Sequence, residues 1–305
     1  NNMEWIKLGK IFEANGQRDW MLSHTACPSP YLVNDDLLRV YFGTRDSGNS
    51  PSVGFVELSI NDGFSVRMIS EKPCLGPGEW GFFDDNGVYP GSILSHGDKM
   101  RLYYMGRSNG NPPLYYMAIG LAESEDNGLT FSRLSPAPVL SRSGEDPWMV
   151  STPFVFKESE NHWKMWYTSG IGWVSKSPPK SKYHVKCTES SDGVAWTGNG
   201  VVSIPIEGKE TNLASPWFWR EGQNWHGLYC VAGQNDGYCL CEAKSKDGIS
   251  WQKLGTPRGL ERSSSGWDSN CMAYPSSFTH KGTRYCLYSG NENGKGGIGV
   301  ARLEK

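Results

Sequence analysis

Five times along this chain a proline opens a short apolar strand, and a second strand ending in a Tyr- and Gly-rich stretch follows. The copies are Cys27-Pro28-Ser29-Pro30-Tyr31-Leu32-Val33, Val88-Tyr89-Pro90-Gly91-Ser92-Ile93-Leu94, Ser151-Thr152-Pro153-Phe154-Val155-Phe156, Ala214-Ser215-Pro216-Trp217-Phe218-Trp219 and Ala273-Tyr274-Pro275-Ser276-Ser277-Phe278. Aligned on Pro30, Pro90, Pro153, Pro216 and Pro275, they lie 60, 63, 63 and 59 residues apart. Self-similarity at a near-fixed period belongs to stacked or radial units that bury their faces against one another.

Each copy reads as four strands. The second strands are expected at 38–42, 100–105, 162–168, 225–231 and 283–289, and the third at 53–58, 115–123, 183–189, 238–244 and 298–303. A turn rich in Asp and Gly comes next in four copies, at 61–63, 125–128, 191–193 and 246–248. Glycine supplies the positive φ such turns need. An aromatic then starts the fourth strand: Phe64, Phe131, Trp196 and Trp251. The fifth copy stops after its third strand, and Trp5-Ile6-Lys7-Leu8-Gly9 matches Trp251-Gln252-Lys253-Leu254-Gly255. The expected fold is therefore all-β: a five-bladed β-propeller of four-stranded antiparallel blades, closed by the N-terminal strand pairing into the last blade. The repeat runs end to end without a linker, which makes residues 1–305 one domain. A pair of β-sandwiches would not explain the head-to-tail match.

Composition agrees with many turns and little helix: 37 of 305 residues are glycine. A net charge of −2 leaves no nucleic-acid footprint. No apolar run long enough to span a membrane appears, and no signal peptide opens the chain, although a leader could have been removed. The eight cysteines lack metal-ligand spacing. Cys230, Cys239, Cys241 and Cys286 fall within strands as small core residues, and Cys239 and Cys241 share one strand face. A reducing, cytoplasmic home is favoured, with a secreted or periplasmic one the alternative. No metal and no cofactor are expected.

Strand direction locates the chemistry. If the first strands begin at the top of the ring, the Asp-Gly turns fall at the bottom and are structural. The top then gathers Asp19, His24, Arg45 and Asp46 from blade one. Blade two adds Asp84, Asp85, Asn86 and Arg107, and blade three Glu145, Asp146 and Trp148. Glu210, Asn212, Gln234 and Asp236 come from blade four, and Asp268, Asn270, Asn291 and Glu292 from blade five. A channel mouth is the concave place where ligands bind. Glycoside cleavage asks for two carboxyl groups. Asp146 and Glu210, from neighbouring first strands, are the best pair, since like charges held close raise one pKa as a general acid requires.

With these features the chain resembles the five-bladed propeller glycosidases: glycoside hydrolase families 43 and 62, families 32 and 68, and the phosphorylase-containing family 130. In the first of these, an Asp-Pro stands at the first inner strand, another two blades on, and a Glu one blade further. Glu145-Asp146-Pro147-Trp148 matches the second motif, which the resemblance makes the group that orients the acid. Glu210 matches the third, the general acid. The first motif would fall where Cys27-Pro28 stands, so the base is missing from its place.

Three explanations follow. A base could come from elsewhere on the rim (His24, Asp84, Asp85 or Asp268), and an inverting hydrolase would hold it about 6.5–9.5 Å from Glu210. Alternatively the enzyme is a phosphorylase or glycosyl-transferring relative, with Arg45 and Arg107 holding phosphate. Or the protein binds glycans without cleaving them. The leading reading is a glycoside hydrolase acting on an oligo- or polysaccharide at the top-face pocket, with Glu210, Asp146 and Asp85 catalytic. His24, Arg45, Asp46, Asp84, Arg107, Trp148 and Asp268 are then the substrate-binding residues, and Trp173, on the long 170–182 insertion, either stacks on a sugar or forms a lip.

Overall fold

The structure, a computed structural model, describes residues 3–305 apart from Pro112, Asn199, Gln234 and Asn235. The chain opens on β1 (Glu4–Phe12). Runs of strands follow. The first holds β2 (Ser23–Leu32), β3 (Leu37–Arg45), β4 (Pro51–Ser59) and β5 (Ser65–Ile69). The second holds β6 (Val88–His96), β7 (Lys99–Asn109), β8 (Tyr115–Ser124) and β9 (Ser132–Arg133). The third holds β10 (Val150–Ser159), β11 (His162–Lys176), β12 (Pro179–Ser190) and β13 (Val201–Ile204). The fourth holds β14 (Glu210–Glu221), β15 (Asn224–Gly233), β16 (Cys239–Ser245) and β17 (Trp251–Gly255). The last holds β18 (Ala273–His280), β19 (Thr283–Ser289) and β20 (Ile298–Glu304), with a single helical turn α1 (Asn291–Gly294) before β20.

The first two runs are separate four-stranded antiparallel sheets, and the last run completes a third sheet by taking β1 onto β20. Trp5 lies opposite Leu303 there, and Phe12 opposite Ile298. The third and fourth runs share one sheet, joined by a single parallel pairing of Tyr183 with Asn212. Burial falls from the middle of each sheet outward: β4 is buried along its whole length, whereas β5 is largely exposed. The first strands touch in a cycle, β2 to β6, β6 to β10, β10 to β14, β14 to β18 and β18 back to β2. Among the described residues, no helix is long and apolar enough to cross a membrane.

Each first strand carries an irregularity at its proline. In four of them the residue before the proline has positive φ: Cys27 (58°), Thr152 (44°), Ser215 (56°) and Tyr274 (53°). The ladder skips these two-residue steps, for example from Ser151–Thr168 to Phe154–Trp166. Left-handed backbone at a β-branched residue is costly. At Thr152 it is held by hydrogen bonds, the hydroxyl meeting Thr168 and accepting from the Ser215 N–H at 3.2 Å. In the second run the skip lies one residue later, between Pro90 and Ser92, on Gly91. The bulge corrects the sequence alignment: Cys27-Pro28, not Pro30, occupies the repeated position, because the ladder of β2 skips from Ala26 to Ser29.

At the opposite end, three of the four Asp-Gly turns are gripped by the second strand of the preceding run. Tyr41 donates to the carbonyl of Gly128, Tyr103 to that of Gly193 and Trp166 to that of Gly248, each at 2.7 Å. Arg39 and Arg101 add bonds to the carbonyls of Asn127 and Asp192. Gly128 has φ +82°, and a Cβ there would lie 2.2 Å from the Tyr41 hydroxyl, so the turn needs glycine for both shape and space. Backbone N–H donors hold the Asp192 and Asp247 carboxyls below their ordinary range. These turns are scaffold.

Candidate functional site

The bulges aim the residues before the prolines at a common space. Pro28, Pro90, Pro153, Pro216 and Pro275 line a narrow void of about 30 Å³ where the first strands converge. A wider cavity of about 210 Å³ shares its Cys27, Thr152 and Tyr274 walls. Into this cavity come Tyr89 from β6, Arg45 from the end of β3 and Arg107 from β7. Tyr115 opens β8, Tyr183 comes from β12, and Tyr238 stands just before β16.

Its electrostatics are one-sided. Arg45 makes one side-chain bond, to Asn49 Oδ1 at 3.0 Å, and its Nε is buried without a partner. Arg107 Nε is likewise buried and unpartnered, and the guanidinium lies 5.5 Å from the Tyr115 ring centre. Arg45 and Arg107 are half-buried. The more deeply buried Arg39 and Arg101, whose Nε groups are also unpartnered, have carboxylates beside them, Glu57 and Glu123. Among the described residues no Asp or Glu lines the cavity. Two guanidinium groups with no carboxylate beside them suit an arriving anion. His24, next in line on β2, is held down to about 4, first by burial and then by the charges of Arg45 and Lys295. It stays neutral near pH 7 beside that positive field. Burial pushes the Cys27 thiol well above its ordinary value, which removes it as a thiolate nucleophile. The hydroxyls of Tyr183 and Tyr238 bond to each other, and burial raises both.

The expected carboxylates lie elsewhere. Asp84, Asp146 and Asp268 are 1%, 1% and 3% exposed and occupy one recurring slot. Each accepts from a tyrosine of the second strand: Tyr104 at 3.0 Å, Tyr167 at 2.9 Å and Tyr288 at 2.9 Å. Each also meets a cation: Arg133 at 2.7 Å, Lys186 at 3.0 Å and Lys7 at 3.0 Å. Burial alone would raise Asp268, but hydrogen bonds from Ser263, Lys7 and Tyr288 outweigh it and hold the carboxyl below its ordinary value. These aspartates tie strands together.

Glu210, at the start of β14, is bound to Lys253 of β17 at 2.6 Å and accepts the Glu207 N–H at 2.9 Å. Asp85 accepts the Gly81 N–H at 3.0 Å through one oxygen, while the other is buried and unpartnered. Asp46 caps its own turn by accepting from Gly48 and Ser50. Trp148 is buried, and Trp173 of the long β11–β12 hairpin packs on it at 4.6 Å. Gln234 lies outside the described residues. The structure thus brings together Arg45 and Arg107 at the cavity, with His24 beside Arg45, and keeps Glu210, Asp146, Asp85, Asp84, Asp46, Trp148 and Asp268 off its lining.

The residues that sequence reasoning passed over are the tyrosines. Tyr89 and Tyr274 stand immediately before aligned prolines, in the place Cys27 takes in the first copy. Tyr115, Tyr183 and Tyr238 each begin an expected third strand. The signal was in the repeat, where these residues read as strand-formers.

Asp146 gives a direct test of the two roles. Asp146→Ala leaves the Lys186 ammonium, 8% exposed, without its partner. It is expected to cost about 3–5 kcal/mol in urea unfolding, and Asp146→Ala with Lys186→Met to recover much of that. Undiminished stability with lost activity would instead put Asp146 in the chemistry.

No family model matches the chain. Over 303 residues it is 36% identical to the uncharacterized protein Rv1502 of Mycobacterium tuberculosis, across 99% of this chain and 100% of that one. The chain belongs to the same family as Rv1502. A β-1,2-mannobiose phosphorylase of Thermoanaerobacter sp. is 25% identical to this Rv1502-family chain over 150 residues, 46% of this chain and 47% of the relative. Among solved structures, a glycoside hydrolase superposes with a TM-score of 0.75 at 17% identity, covering 97% of this chain and 91% of that one. The β-1,2-mannobiose phosphorylase of Listeria innocua superposes with a TM-score of 0.73 at 10% identity, covering 100% and 97%. The Rv1502-family chain therefore has the all-β fold of the propeller glycosidases, as the sequence resemblance implied.

Proposed function

We propose that the chain is a single-domain, five-bladed β-propeller closed by β1, and that it cleaves a carbohydrate by phosphorolysis at the mouth cavity. The cycle of first-strand contacts and the pairing of β1 with β20 support the architecture. One observation carries the activity: Arg45 and Arg107 line one cavity with no carboxylate beside them among the described residues. Of the three activities weighed from sequence, phosphate-dependent cleavage uses that arrangement best. Guanidinium groups bind phosphate bidentately. The two mannobiose phosphorylases among its relatives and structural neighbours support the same reading.

The step balances without a carboxylate. An oxygen of dihydrogen phosphate attacks the anomeric carbon, the glycosidic C–O bond breaks, and the leaving oxygen takes one proton. The products are a sugar 1-phosphate and a free alcohol. The proton comes from the phosphate itself or by way of the Tyr183–Tyr238 hydroxyl pair. The eight cysteines are all unpaired, in keeping with the reducing compartment we propose for the protein.

The test is turnover of β-1,2-mannobiose, cellobiose and sucrose with and without inorganic phosphate, followed by ³¹P NMR for a sugar 1-phosphate. Phosphate-independent release would return the protein to hydrolysis, and binding without turnover would make it a lectin-like module. Glu210→Gln sharpens the choice. Were Glu210 the general acid, poor leaving groups would lose about 10²–10⁴ in turnover. With Glu210 held by Lys253 away from the cavity, turnover is expected to change by less than about 3-fold.

A further inference from the structure

Adjoining the arginine cavity is a second one, of about 260 Å³, between the β11–β12 hairpin and the fourth run. The two cavities share Tyr183 and Tyr238, so the bonded pair of hydroxyls stands at their common wall. The second cavity has a different chemistry. Thr211 donates to Asn212 Oδ1 at 2.6 Å, and Asn212 Nδ2 donates to Ser181 Oγ at 3.1 Å. Hydroxyl and amide groups therefore form one wall, and Val174 and Pro179 of the hairpin form another. Lys180 and Asp236 both line it, so its charges are of both signs, unlike those of the arginine cavity. A wall of mixed sign gives an anion no preference. A neutral polyol, with donors and acceptors on every edge and apolar C–H faces, matches a mixed wall of this kind.

We propose that this second cavity is the binding site for an uncharged sugar unit, the part of the glycan that leaves. It rests on the phosphorolysis reading for the word "leaves", while sugar binding there does not depend on it. Phosphate and the glycosyl unit it attacks then share the cavity of Arg45 and Arg107, and the departing sugar lies past the tyrosine pair. The glycosidic oxygen falls at the shared wall, within reach of the hydroxyls of Tyr183 and Tyr238. Asn212, Thr211 and Ser181 set specificity by bonding the hydroxyls of the departing sugar.

Calorimetry with β-1,2-mannobiose, cellobiose, sucrose and inorganic phosphate, each titrated separately into the full chain, tests this. Asn212→Ala is expected to weaken the disaccharide that binds by about 5- to 10-fold and to leave phosphate affinity within 2-fold. Thr211→Val serves as a second variant should Asn212→Ala fail to fold, with melting temperature as the check on both. Tyr238→Phe is expected to lower kcat while leaving KM for phosphate unchanged. Soaked crystals should show the sugar against Asn212. The proposal falls if no sugar of the panel binds, if sugar affinity ignores both variants, or if the soaked sugar lies elsewhere. The outcomes separate from those of the activity: sugar bound against Asn212 without phosphate dependence sinks phosphorolysis alone. Phosphate dependence with sugar affinity blind to Asn212 and Thr211 sinks the second site alone.

Discussion

Deleting residues 1–10 is expected to unfold the protein rather than trim one strand. Three losses coincide. Trp5, 4% exposed, packs with Leu228, Leu260 and Tyr288, and removing a buried tryptophan costs about 3–5 kcal/mol. Lys7 leaves with it, stranding the Asp268 carboxylate at 4% exposure, which costs about 3–5 kcal/mol more. Finally β20 loses most of its partner and becomes an open edge ready to pair with other chains. Domains of ordinary stability hold about 5–15 kcal/mol in total. The truncated chain should therefore show no cooperative melt by circular dichroism and should aggregate. A melting temperature within a few degrees of the full chain's would refute the role given to β1. Trp5→Ala alone separates packing from pairing, since it keeps the strand and removes the indole.

Replacing both mouth arginines is expected to abolish phosphate recognition while the fold survives. Neither Arg45 nor Arg107 has a carboxylate partner within ion-pair distance among the described residues, so Arg45→Ala and Arg107→Ala strand no buried charge. That contrasts with Arg39, whose removal would strand Glu57 in the interior. A charge-assisted hydrogen bond contributes about 1.5–3 kcal/mol, hence each single variant should weaken phosphate binding by about 10- to 100-fold. The double variant should lose it altogether at millimolar phosphate. The binding constant should also weaken with added salt, although less steeply than for an exposed pair. Unchanged phosphate affinity in the double variant, with unchanged melting, would remove the anion site.

Much of the framework was legible because it rests on local rules. Prolines at bulges, Asp-Gly turns and short apolar strands each leave a mark within a few residues, and the marks recur at a near-fixed spacing. The match between Trp5–Gly9 and Trp251–Gly255 was legible for the same reason: both segments lay an indole, 4% and 9% exposed, into the core at the start of a strand. The alignment slipped at one place, on Pro30 instead of Pro28. Two prolines flank Ser29 there, and only the ladder of β2 with β3 shows which one sits at the bulge.

Of the residues named from sequence, Arg45 and Arg107 line the cavity and the carboxylates lie off its lining. Asp84, Asp146 and Asp268 precede first strands as a catalytic residue would. What sends them inward is a set of distant partners: Arg133, Lys186 and Lys7 lie 49, 40 and 261 residues away along the chain. Glu210 keeps its motif position but meets Lys253 across the sheet. The sequence by itself determined the repeat, the order of strands, the Asp-Gly turns and the strand that β1 resembles, because these follow from contacts made within or between neighbouring segments. Only the tertiary structure decided which polar groups face the mouth. That depends on the φ of Cys27, Thr152, Ser215 and Tyr274, and on ion pairs that close only when distant segments meet, so it is set in three dimensions.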